Sequence, residues 1–411
     1  MNQQRGTSAP VIGYLSPAWP ITDMPNGIVS YIAAIRQGLE QNGVSSAVFV
    51  GRQPRPEDEG VIAVPYHWTL PERIVRAIQY RTIPVPDRHA PFVRVLRQKL
   101  RAAVDQGLRV FEMEESFGLI DRIQVPGLAR VARLHGPWFV NGPALGAKTD
   151  REFEVRVRRE GQAIMRATAV TSPSRDVLER VREYYQAELP LAKVIPNPGP
   201  RVSTDLCWSP EQADPKTILF VGRFDRHKGG DLIIRAFAQL ASRDPDIQLS
   251  FAGPDRGLVE GGTTISLADY IEKHVPLALR PRLTYLGPQG PEEIARLRRK
   301  SAVCVVASRY ENFPMAVVEG LAYGCPLVGA AAGGITEMIE HDKNGLLFQP
   351  EDVDDLCARI SAILDDPNLA RRLAEAARQT YEEQYDPVSV AAETLDLYRS
   401  LPGCAQLAGK A

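Results

Sequence analysis

Short apolar runs rich in β-branched residues alternate along this chain with longer segments in which apolar residues recur at helical spacing. The short runs are typical of buried strands, and the longer segments are typical of amphipathic helices. Strands and helices in alternation predict an α/β fold with parallel sheets. The strands expected from this pattern are, in chain order, Val11–Leu15, Ala47–Val50, Val110–Glu115, Leu128–Leu134, Ala169–Val170, Val194–Ile195, Thr217–Val221, Gln248–Phe251, Leu283–Leu286, Ala302–Ala307, Cys325–Gly329 and Leu346–Phe348.

The chain is long enough for two such domains, because 411 residues exceed what one ordinary α/β core holds. Near its middle the sequence PNPGP, residues 196–200, interrupts all regular structure. We therefore expect one doubly wound domain at residues 1–199 and a second at residues 200–385. A last helix is expected within residues 386–411, followed by a short disordered tail.

The most informative segment begins where the expected strand Ala302–Ala307 ends. A loop with Glu311 follows, and a helix is expected after Pro314, because the first helical turn tolerates a residue without an N–H. Glu319 lies further along that helix. Ligands of open α/β sheets bind at the carboxyl ends of the strands, and carboxylates accept hydrogen bonds from sugar or ribose hydroxyls. The alternative is that Glu311 caps the helix and Glu319 is a solvated surface residue.

The sequence ENFPMAVVEGLAYGCPLVG, together with GGITEMIEHDKNGLLF, resembles the motif of glycosyltransferase family 4, a family of retaining enzymes with two glutamates eight positions apart. The resemblance implies that Glu311 holds the transferred sugar, that Glu319 holds the ribose, and that Asn312 and Phe313 also contact the donor. The chain departs from the usual pattern at Asn312 and Pro314, where glycines are common. Pro314 also lacks a backbone N–H that could meet the donor.

A second segment, VGRFDRHKGG, combines Gly222, Arg223 and Lys228 in a glycine-rich turn between a strand and a helix. Such a turn lets backbone amides approach phosphate oxygens, and the two cations can neutralise them. The alternative is a pair of solvated cations. The resemblance implies pyrophosphate binding here, and it places the nucleobase near Pro288 and Gln289.

Two positions in the amino-terminal half are also candidates. Gly27 ends the loop after the first strand, and the resemblance implies that its amide meets the donor pyrophosphate at a helix N-terminus. A plain turn is the alternative, and no G-x-G-x-x-G supports dinucleotide binding. His135 follows the strand Leu128–Leu134 in the context RLHGP, where the resemblance implies that it faces the transferred sugar. A structural histidine is the alternative.

Residues 70–101 are strongly basic, and apolar residues such as Phe92 and Leu96 lie among the last four cations, Arg94, Arg97, Lys99 and Arg101. A basic amphipathic helix can bind an anionic membrane surface. It can equally be a solvated face of the protein. We retain both interpretations.

The net charge of −1 provides no global field that would favour nucleic acid as a partner. Five cysteines lack C-x-x-C spacing, which predicts neither a zinc site nor a disulfide framework and favours a reducing compartment. Cys304 and Cys325 fall in expected core strands. The first residues lack an apolar segment, and no apolar run is long enough for a bilayer. We therefore expect a cytoplasmic protein, peripheral at the inner membrane face if the basic segment binds lipid.

The resemblance implies the GT-B architecture, with two Rossmann-like domains facing each other across a cleft and a C-terminal helix that crosses back to the first domain. It implies transfer of a sugar from a nucleotide diphosphate sugar to a hydroxyl on a glycan, a lipid-linked acceptor or a small molecule, with retention at the anomeric carbon. No D-x-D or other metal cluster appears where the phosphates would lie, so we expect neither a metal nor a cofactor, and Arg223 and Lys228 would stabilise the leaving diphosphate. His135 would orient the sugar. A nucleotide-sugar epimerase on the same fold and a non-catalytic nucleotide-sugar-binding protein stay open as alternatives.

Overall fold

The structure is a computed structural model that describes residues 10–20, 27–51, 58–82, 87–144 and 146–407. The chain divides into two compact units. Unit 1 comprises Met1–Pro198 together with Pro387–Ala411, and unit 2 comprises Gly199–Asp386. Each unit contains one main sheet in which every strand pairing is parallel.

The sheet of unit 1 has the strand order β3-β2-β1-β4-β5-β6-β7. The chain runs outward in one direction from β1, returns to β4 and then runs outward in the other, which is the doubly wound arrangement. The strands are β1 (Ile12–Leu15), β2 (Ser46–Val50), β3 (Val61–Ala63), β4 (Val110–Glu114), β5 (Ala129–Arg133), β6 (Ala169–Ser172) and β7 (Ala192–Val194).

Most helices of unit 1 bury apolar residues. They are α1 (Gly27–Gln41), α2 (Leu70–Thr82), α3 (Ala90–Asp105), α4 (Trp138–Ala144), α5 (Arg151–Arg166), α6 (Arg175–Tyr185) and, at the end of the chain, α14 (Pro387–Ser400). A short 3-10 segment, Ser116–Arg122, follows β4.

Helix α14 packs against α1, and a glycine allows the two backbones to approach closely. A Cβ on Gly38 would lie 1.9 Å from the carbonyl oxygen of Pro387. The Tyr398 hydroxyl donates to Oε2 of the buried Glu112 at 2.9 Å, and the Tyr31 hydroxyl donates to Oε1 at 2.6 Å. The C-terminal helix is therefore part of the core of unit 1, as expected for this fold.

The sheet of unit 2 has the strand order β12-β9-β8-β13-β14-β15, which is doubly wound in the same sense as unit 1. A separate two-stranded antiparallel ladder pairs β10 with β11. The strands are β8 (Asp214–Val221), β9 (Gln248–Ala252), β10 (Leu258–Glu260), β11 (Thr263–Ile265), β12 (Leu283–Gly287), β13 (Ser301–Val306), β14 (Leu327–Ala330) and β15 (Leu346–Phe348).

The helices of unit 2 are α7 (Gly230–Arg243), α8 (Leu267–His274), α9 (Pro291–Lys300), α10 (Met315–Tyr323), α11 (Ile335–Met338), α12 (Val353–Asp365) and α13 (Pro367–Gln384). Short 3-10 turns occur at Thr204–Leu206 and Arg280–Arg282. Every residue of β13 is buried, as its continuous apolar run predicts. Helix α10 begins after Pro314 and ends at Gly324, whose φ of 63° fits a glycine terminator, so both predicted boundaries are confirmed.

Three strands were not predicted, and the prediction of disorder for the last eight residues is wrong for residues 404–407, while residues 408–411 lie outside the described residues. β3, β10 and β11 have three residues each, which is too short for periodicity to reveal them. In the tail, Cys404 and Leu407 are buried against the core of unit 1. Cys304 and Cys325 are buried free thiols, as predicted. Within the described ranges, no helix combines the length and apolar character needed to cross a membrane.

Candidate functional site

The candidate donor site of unit 2 lies where the sheet changes direction. β8 and β13 are neighbours, yet the chain leaves them toward opposite ends of the sheet. Their carboxyl ends carry the loops 222–229 and 307–314. In open α/β sheets a crevice forms outside the strands at this point, because the flanking loops diverge, and ligands bind in it.

The loop after β8 is a tight turn organised by Asp225. Its carboxylate accepts from the backbone N–H of Lys228 at 2.7 Å and pairs with Nε of Arg223 at 2.8 Å. Gly229 has a φ of 71°, and a Cβ there would lie 2.0 Å from the carbonyl oxygen of Ala307. Only glycine therefore lets this turn pass beneath the β13 loop and open into α7. The two predicted cations, Arg223 and Lys228, lie in this loop, which leads into the N-terminus of α7, a favourable place for an anion.

Lys228 and Glu311 bring the two loops together. The Lys228 ammonium donates to Oε1 of Glu311, and their side chains are only 29% and 11% exposed. Burial by itself opposes ionisation of Glu311, but the adjacent Lys228 holds the pKa of that carboxyl below its usual range. The site thus presents an ionised carboxylate and an ammonium group side by side, one suited to hydroxyls and the other to phosphate.

Arg309 fixes the spacing between the same two loops, and the sequence analysis missed it. Its guanidinium binds both carboxylate oxygens of Asp231, in the first turn of α7, at 2.8 Å each, and it also pairs with Glu351. Its backbone N–H donates to the carbonyl of His227 at 2.9 Å. The order Ser-Arg-Tyr-Glu places this arginine two residues before Glu311, which was the available signal.

Gly333 and Gly334, beyond β14, support Glu311 from the other side. The N–H of Gly334 donates to the carbonyl of Glu311 at 2.8 Å. A Cβ on Gly333 would lie 2.5 Å from that same carbonyl oxygen, and one on Gly334 would lie 2.3 Å from the carbonyl oxygen of Asn312. These two glycines therefore allow the loop after β14 to pack closely against the Glu311 loop. The sequence motif alone did not predict this role.

Glu319 lies in α10 and binds a buried arginine. The Arg298 guanidinium donates to its Oε2 at 3.0 Å, and the Arg298 side chain is 1% exposed while that of Glu319 is 35% exposed. Glu319 is thus not a freely solvated residue, because its Oε2 already accepts a hydrogen bond from Arg298. That oxygen is shared between Arg298 and any ligand. We infer that Arg298 positions the Glu319 carboxylate.

The remaining predicted donor contacts of unit 2 lie at the same sheet edge but differ in exposure. Pro288 and Gln289 follow β12 and are exposed. Asn312 and Phe313 are half-buried beside Glu311, and the Phe313 ring lies 6.1 Å from that of Tyr385, which gives it a packing role. Gly222 is the first residue after β8.

The two predicted residues of unit 1 also lie at the carboxyl ends of strands. α1 begins at Gly27, where a Cβ would meet open space, so the fold itself does not require glycine at that position. His135 follows β5 and is half-buried, with its ring 5.2 Å from that of Tyr31. Burial, and then Arg133, lower the pKa of His135 to about 3, so its imidazole is neutral at neutral pH. The roles of Gly27 and His135 stay predictions.

Buried carboxylates hold the His135 loop, and the sequence analysis did not single them out. Glu115 accepts from the backbone N–H groups of His135 at 2.9 Å and Gly136 at 2.8 Å. Glu160, from α5, accepts from the N–H groups of Phe117 at 3.1 Å and Trp138 at 2.8 Å. Burial, together with the nearby carboxylates, raises the pKa of Glu115 to about 8.

The basic segment 70–101 divides into two helices with different surroundings. The apolar residues of α3 belong to the core, since Val93 and Leu96 are buried, so its cations do not flank an exposed apolar face. Arg94 pairs with Glu72 at 2.9 Å. The exposed apolar residues lie instead on α2 and are Leu70, Ile74, Val75 and Ile78, which are 72%, 55%, 52% and 56% exposed. If this segment meets a membrane, α2 is the element that does so.

The described part of the chain brings together no group of three His, Cys, Asp or Glu side chains arranged as a metal site. Residues 208–380 match the family described as glycosyl transferases group 1.

Two curated relatives illustrate the sequence similarity. The chain is 29% identical over 282 residues to a D-inositol 3-phosphate glycosyltransferase of Nocardiopsis dassonvillei, which covers 67% of this chain and 65% of that protein. It is 34% identical over 185 residues to a glycogen synthase of Mycobacterium tuberculosis, which covers 45% of this chain and 42% of that protein. The chain therefore spans less than two thirds of the length of these relatives.

Solved structures match nearly the whole chain. A sucrose-phosphate synthase from Thermosynechococcus elongatus has a TM-score of 0.68 at 21% identity and covers 94% of this chain and 98% of its own. An Anabaena protein solved in complex with UDP and glucose has a TM-score of 0.63 at 18% identity and covers 95% and 99%. These likenesses, with the two doubly wound sheets, confirm the predicted GT-B fold.

Proposed function

We propose that this chain is an enzyme that transfers a sugar from a nucleotide diphosphate sugar to a hydroxyl group, because residues 208–380 match the glycosyl transferases group 1 family. The observation that carries the proposal is the Lys228–Glu311 pair at the point where the sheet of unit 2 changes direction. A cation at a helix N-terminus suits a diphosphate, and a carboxylate beside it suits the hydroxyls of the attached sugar.

In the proposed reaction, Arg223 and Lys228 stabilise the negative charge that grows on the diphosphate as the bond to the sugar breaks. Charge stabilisation of this kind acts most strongly in the transition state and therefore lowers the barrier. Glu311 holds hydroxyls of the transferred sugar, and Glu319, positioned by Arg298, holds the ribose. The nucleobase lies near the exposed Pro288 and Gln289.

We further propose that transfer retains the anomeric configuration and needs no metal ion, with the leaving phosphate helping to deprotonate the acceptor. Support for the first part is the resemblance of the Glu311–Glu319 segment to retaining enzymes. Support for the second is the pair of side-chain cations, which can supply the positive charge that a divalent ion supplies elsewhere. Chelation with EDTA should leave the rate unchanged, and NMR of the product should show the α anomer from an α-linked donor.

UDP-glucose is the first donor to test, because an Anabaena protein of the same fold was solved with UDP and glucose. We propose a cytoplasmic enzyme whose acceptor can be lipid-linked, with α2 as a peripheral contact to anionic lipid. Support for this contact is the exposed apolar stripe of α2 beside the exposed Arg73.

The central experiment measures UDP release from UDP-glucose by the full chain. Arg223→Ala and Lys228→Ala should each lower turnover by about a hundredfold or more, as removal of a transition-state donor does. The matched control is Arg226→Ala on the same loop, because the Arg226 side chain is 70% exposed and lies 3.9 Å from Glu351. Equal rates in Arg223→Ala, Lys228→Ala and the control would refute the assignment.

The same assay separates the two alternatives. An epimerase would convert the sugar of the donor without releasing UDP. A non-catalytic binding protein would bind UDP-glucose and release no UDP, with or without an acceptor.

A further inference from the structure

A cavity of about 430 Å³ lies within unit 1, at the carboxyl edge of its sheet. Phe117 lines it from the 3-10 segment after β4, Trp138 from the start of α4, and Arg156 and Arg159 from α5. Its volume is that of a small-molecule site, and it occupies the edge of the sheet where α/β folds bind ligands. It is separate from the residues that we assign to the donor in unit 2.

The lining of this cavity is more basic than acidic. Its cations are Arg88, Lys148, Arg156 and Arg159, and its carboxylates are Asp150 and Glu152. Both carboxylates are already engaged, because Asp150 caps α5 by accepting from two backbone N–H groups and Glu152 lies 3.5 Å from Arg88. Lys148 and Arg159, by contrast, have no ion-pair partner among the described residues. The cavity therefore offers uncompensated positive charge.

Arg156 is held rigidly between two aromatic rings. The centre of its guanidinium lies 4.1 Å from the Phe117 ring and 3.7 Å from the Trp138 ring, and its Nε donates to the buried Glu160 at 2.8 Å. A cation clamped in this way loses little conformational entropy when it binds an anion. The two rings also provide apolar surface next to the charge.

Phe117 adopts a strained backbone conformation although its side chain is not needed in the core. Its φ and ψ are 59° and 5°, a left-handed conformation that is rare for a bulky residue, and it is 42% exposed. The conformation is enforced locally, since Glu160 accepts its N–H and a Cβ on the next residue, Gly118, would lie 2.4 Å from the carbonyl oxygen of Arg159. Strain that places an exposed ring at a cavity is typical of a binding residue.

The cavity is tied to His135 through buried carboxylates. Glu160 holds the backbone of Phe117 and of Trp138, while Glu115 holds the backbone of His135 and Gly136. The segments after β4 and β5 are thus held in place, so the backbones of Phe117, Trp138 and His135 keep constant positions within unit 1.

We propose that this cavity binds the acceptor, and that the acceptor is a sugar or polyol that carries an anionic group, either a phosphate or a carboxylate. The anion meets Arg156, Arg159 and Lys148, and the apolar face of the ring lies on Phe117 and Trp138. The acceptor role rests on the proposed function, whereas the binding of an anionic sugar does not.

The first test is calorimetric titration of the full chain with glucose 6-phosphate, glucuronate, glucose and inorganic phosphate. We expect at least one of the two anionic sugars to bind roughly tenfold or more tightly than glucose, because a hydrogen bond to a charged group is strong. The tighter of the two identifies phosphate or carboxylate as the recognised group. Anionic sugars that bind no better than glucose, or inorganic phosphate that binds as tightly as glucose 6-phosphate, would overturn the proposal.

The second test assigns the binding to these residues. The double variant Lys148→Gln with Arg159→Gln should weaken binding of the preferred anionic sugar by roughly tenfold or more. The control is Arg158→Gln, an exposed arginine on the same helix that does not line the cavity, and it should bind as the original chain does. Equal affinity in the double variant and the control would place the binding elsewhere.

Phe117→Gly separates a binding role from a structural role. Glycine adopts a positive φ without strain, so the variant should have an unchanged or higher Tm. It should nevertheless bind the anionic sugar several-fold more weakly, since the ring is lost. A variant with a lower Tm and unchanged affinity would show that the ring serves the fold alone.

A last arm distinguishes this inference from the proposed function. In the presence of UDP-glucose, the preferred anionic sugar should accelerate UDP release, and Lys228→Ala should abolish that acceleration while leaving binding of the sugar intact. Tight binding without any UDP release would overturn the proposed function but not the anionic-sugar site. UDP release that is accelerated by neutral glucose alone would overturn the acceptor assignment and leave the proposed function standing.

Discussion

The Lys228–Glu311 pair should make the stability of unit 2 depend on pH in opposite directions before and after a single substitution. In the original chain the pKa of Glu311 lies below its usual range, because Lys228 outweighs the cost of burial. A carboxyl whose pKa is lowered on folding contributes stability above its unfolded pKa, and this stability is lost as the pH falls through the folded value. In Lys228→Ala only burial and weaker partners act on Glu311, so its pKa should rise. Its contribution to stability should then be lost as the pH rises, which is the opposite of the original chain.

The size of the effect follows from the exposure of the pair. Breaking a fully buried pair costs about 3–5 kcal/mol, whereas an exposed pair contributes about 0–1 kcal/mol. Because the Lys228 and Glu311 side chains are 29% and 11% exposed, we expect a loss of about 2 kcal/mol in the free energy of unfolding near neutral pH. A loss of that size lowers the Tm of a domain as large as unit 2 by roughly 4–8 °C.

Calorimetric melts at about pH 7.5 and about pH 4.5 test this reasoning. Lys228→Ala should lower the free energy of unfolding by less at the lower pH, because Glu311 of the variant is then protonated and no longer needs a cationic partner. Lys343→Ala is the matched control, because that lysine is 64% exposed and pairs with Glu340 on the surface, so it should change little at either pH. A destabilisation in Lys228→Ala that is equal at both pH values, or no larger than in the control, would refute the argument.

Three further predictions follow from other parts of the structure. Glu319→Gln should mainly raise the donor KM and weaken UDP binding, whereas Glu311→Gln should mainly lower kcat. Calorimetry that shows an equal loss of UDP affinity in the two variants, or a loss confined to Glu311→Gln, would contradict these roles. Ile74→Glu should abolish co-sedimentation with vesicles that contain anionic lipid, while Lys99→Glu on α3 should only weaken it; equal losses would argue against α2. Because the pKa of Glu115 is raised to about 8, unit 1 should lose stability as the pH rises from about 4.5 toward 8, and Glu115→Gln should flatten that slope in thermal melts.

Most of the fold could be predicted from the sequence, because long strands and helices leave recognisable patterns of apolar residues along the chain. Buried parallel strands are continuous apolar runs, and β13, with every residue buried, is the clearest example. Helix termini follow local chemistry, so α10 begins and ends where Pro314 and Gly324 predict. Strands of three residues, such as β3, carry too few positions for either signal.

The sequence predicted the site less completely, because partners that are distant in the chain decide what a side chain can do. Lys228 and Glu311 were both selected, yet their pairing across the two loops was not foreseen. Glu319 was selected for its spacing, and its partner Arg298, buried in α9, could not be inferred from the motif. In the basic segment, the apolar residues expected to face a membrane lie in α3 and are part of the core. The exposed apolar residues lie in α2 instead.

The two units share a strand order but use it differently, which explains why topology alone does not locate a ligand. In unit 2 the loops of the central strands β8 and β13 carry Lys228 and Glu311, charges that are only partly buried. In unit 1 the central strand β4 carries Glu112, which is fully enclosed and accepts hydroxyl hydrogen bonds from α1, β6 and α14. That carboxylate is committed to joining the C-terminal helix to the sheet.

The cavity of unit 1 lies instead over the loops after β4 and β5, where Phe117 is strained and exposed and Arg159 has no ion-pair partner among the described residues. The same order of strands thus supports one site built from a charge pair and a second built from aromatic rings and cations, and side-chain chemistry decides between them.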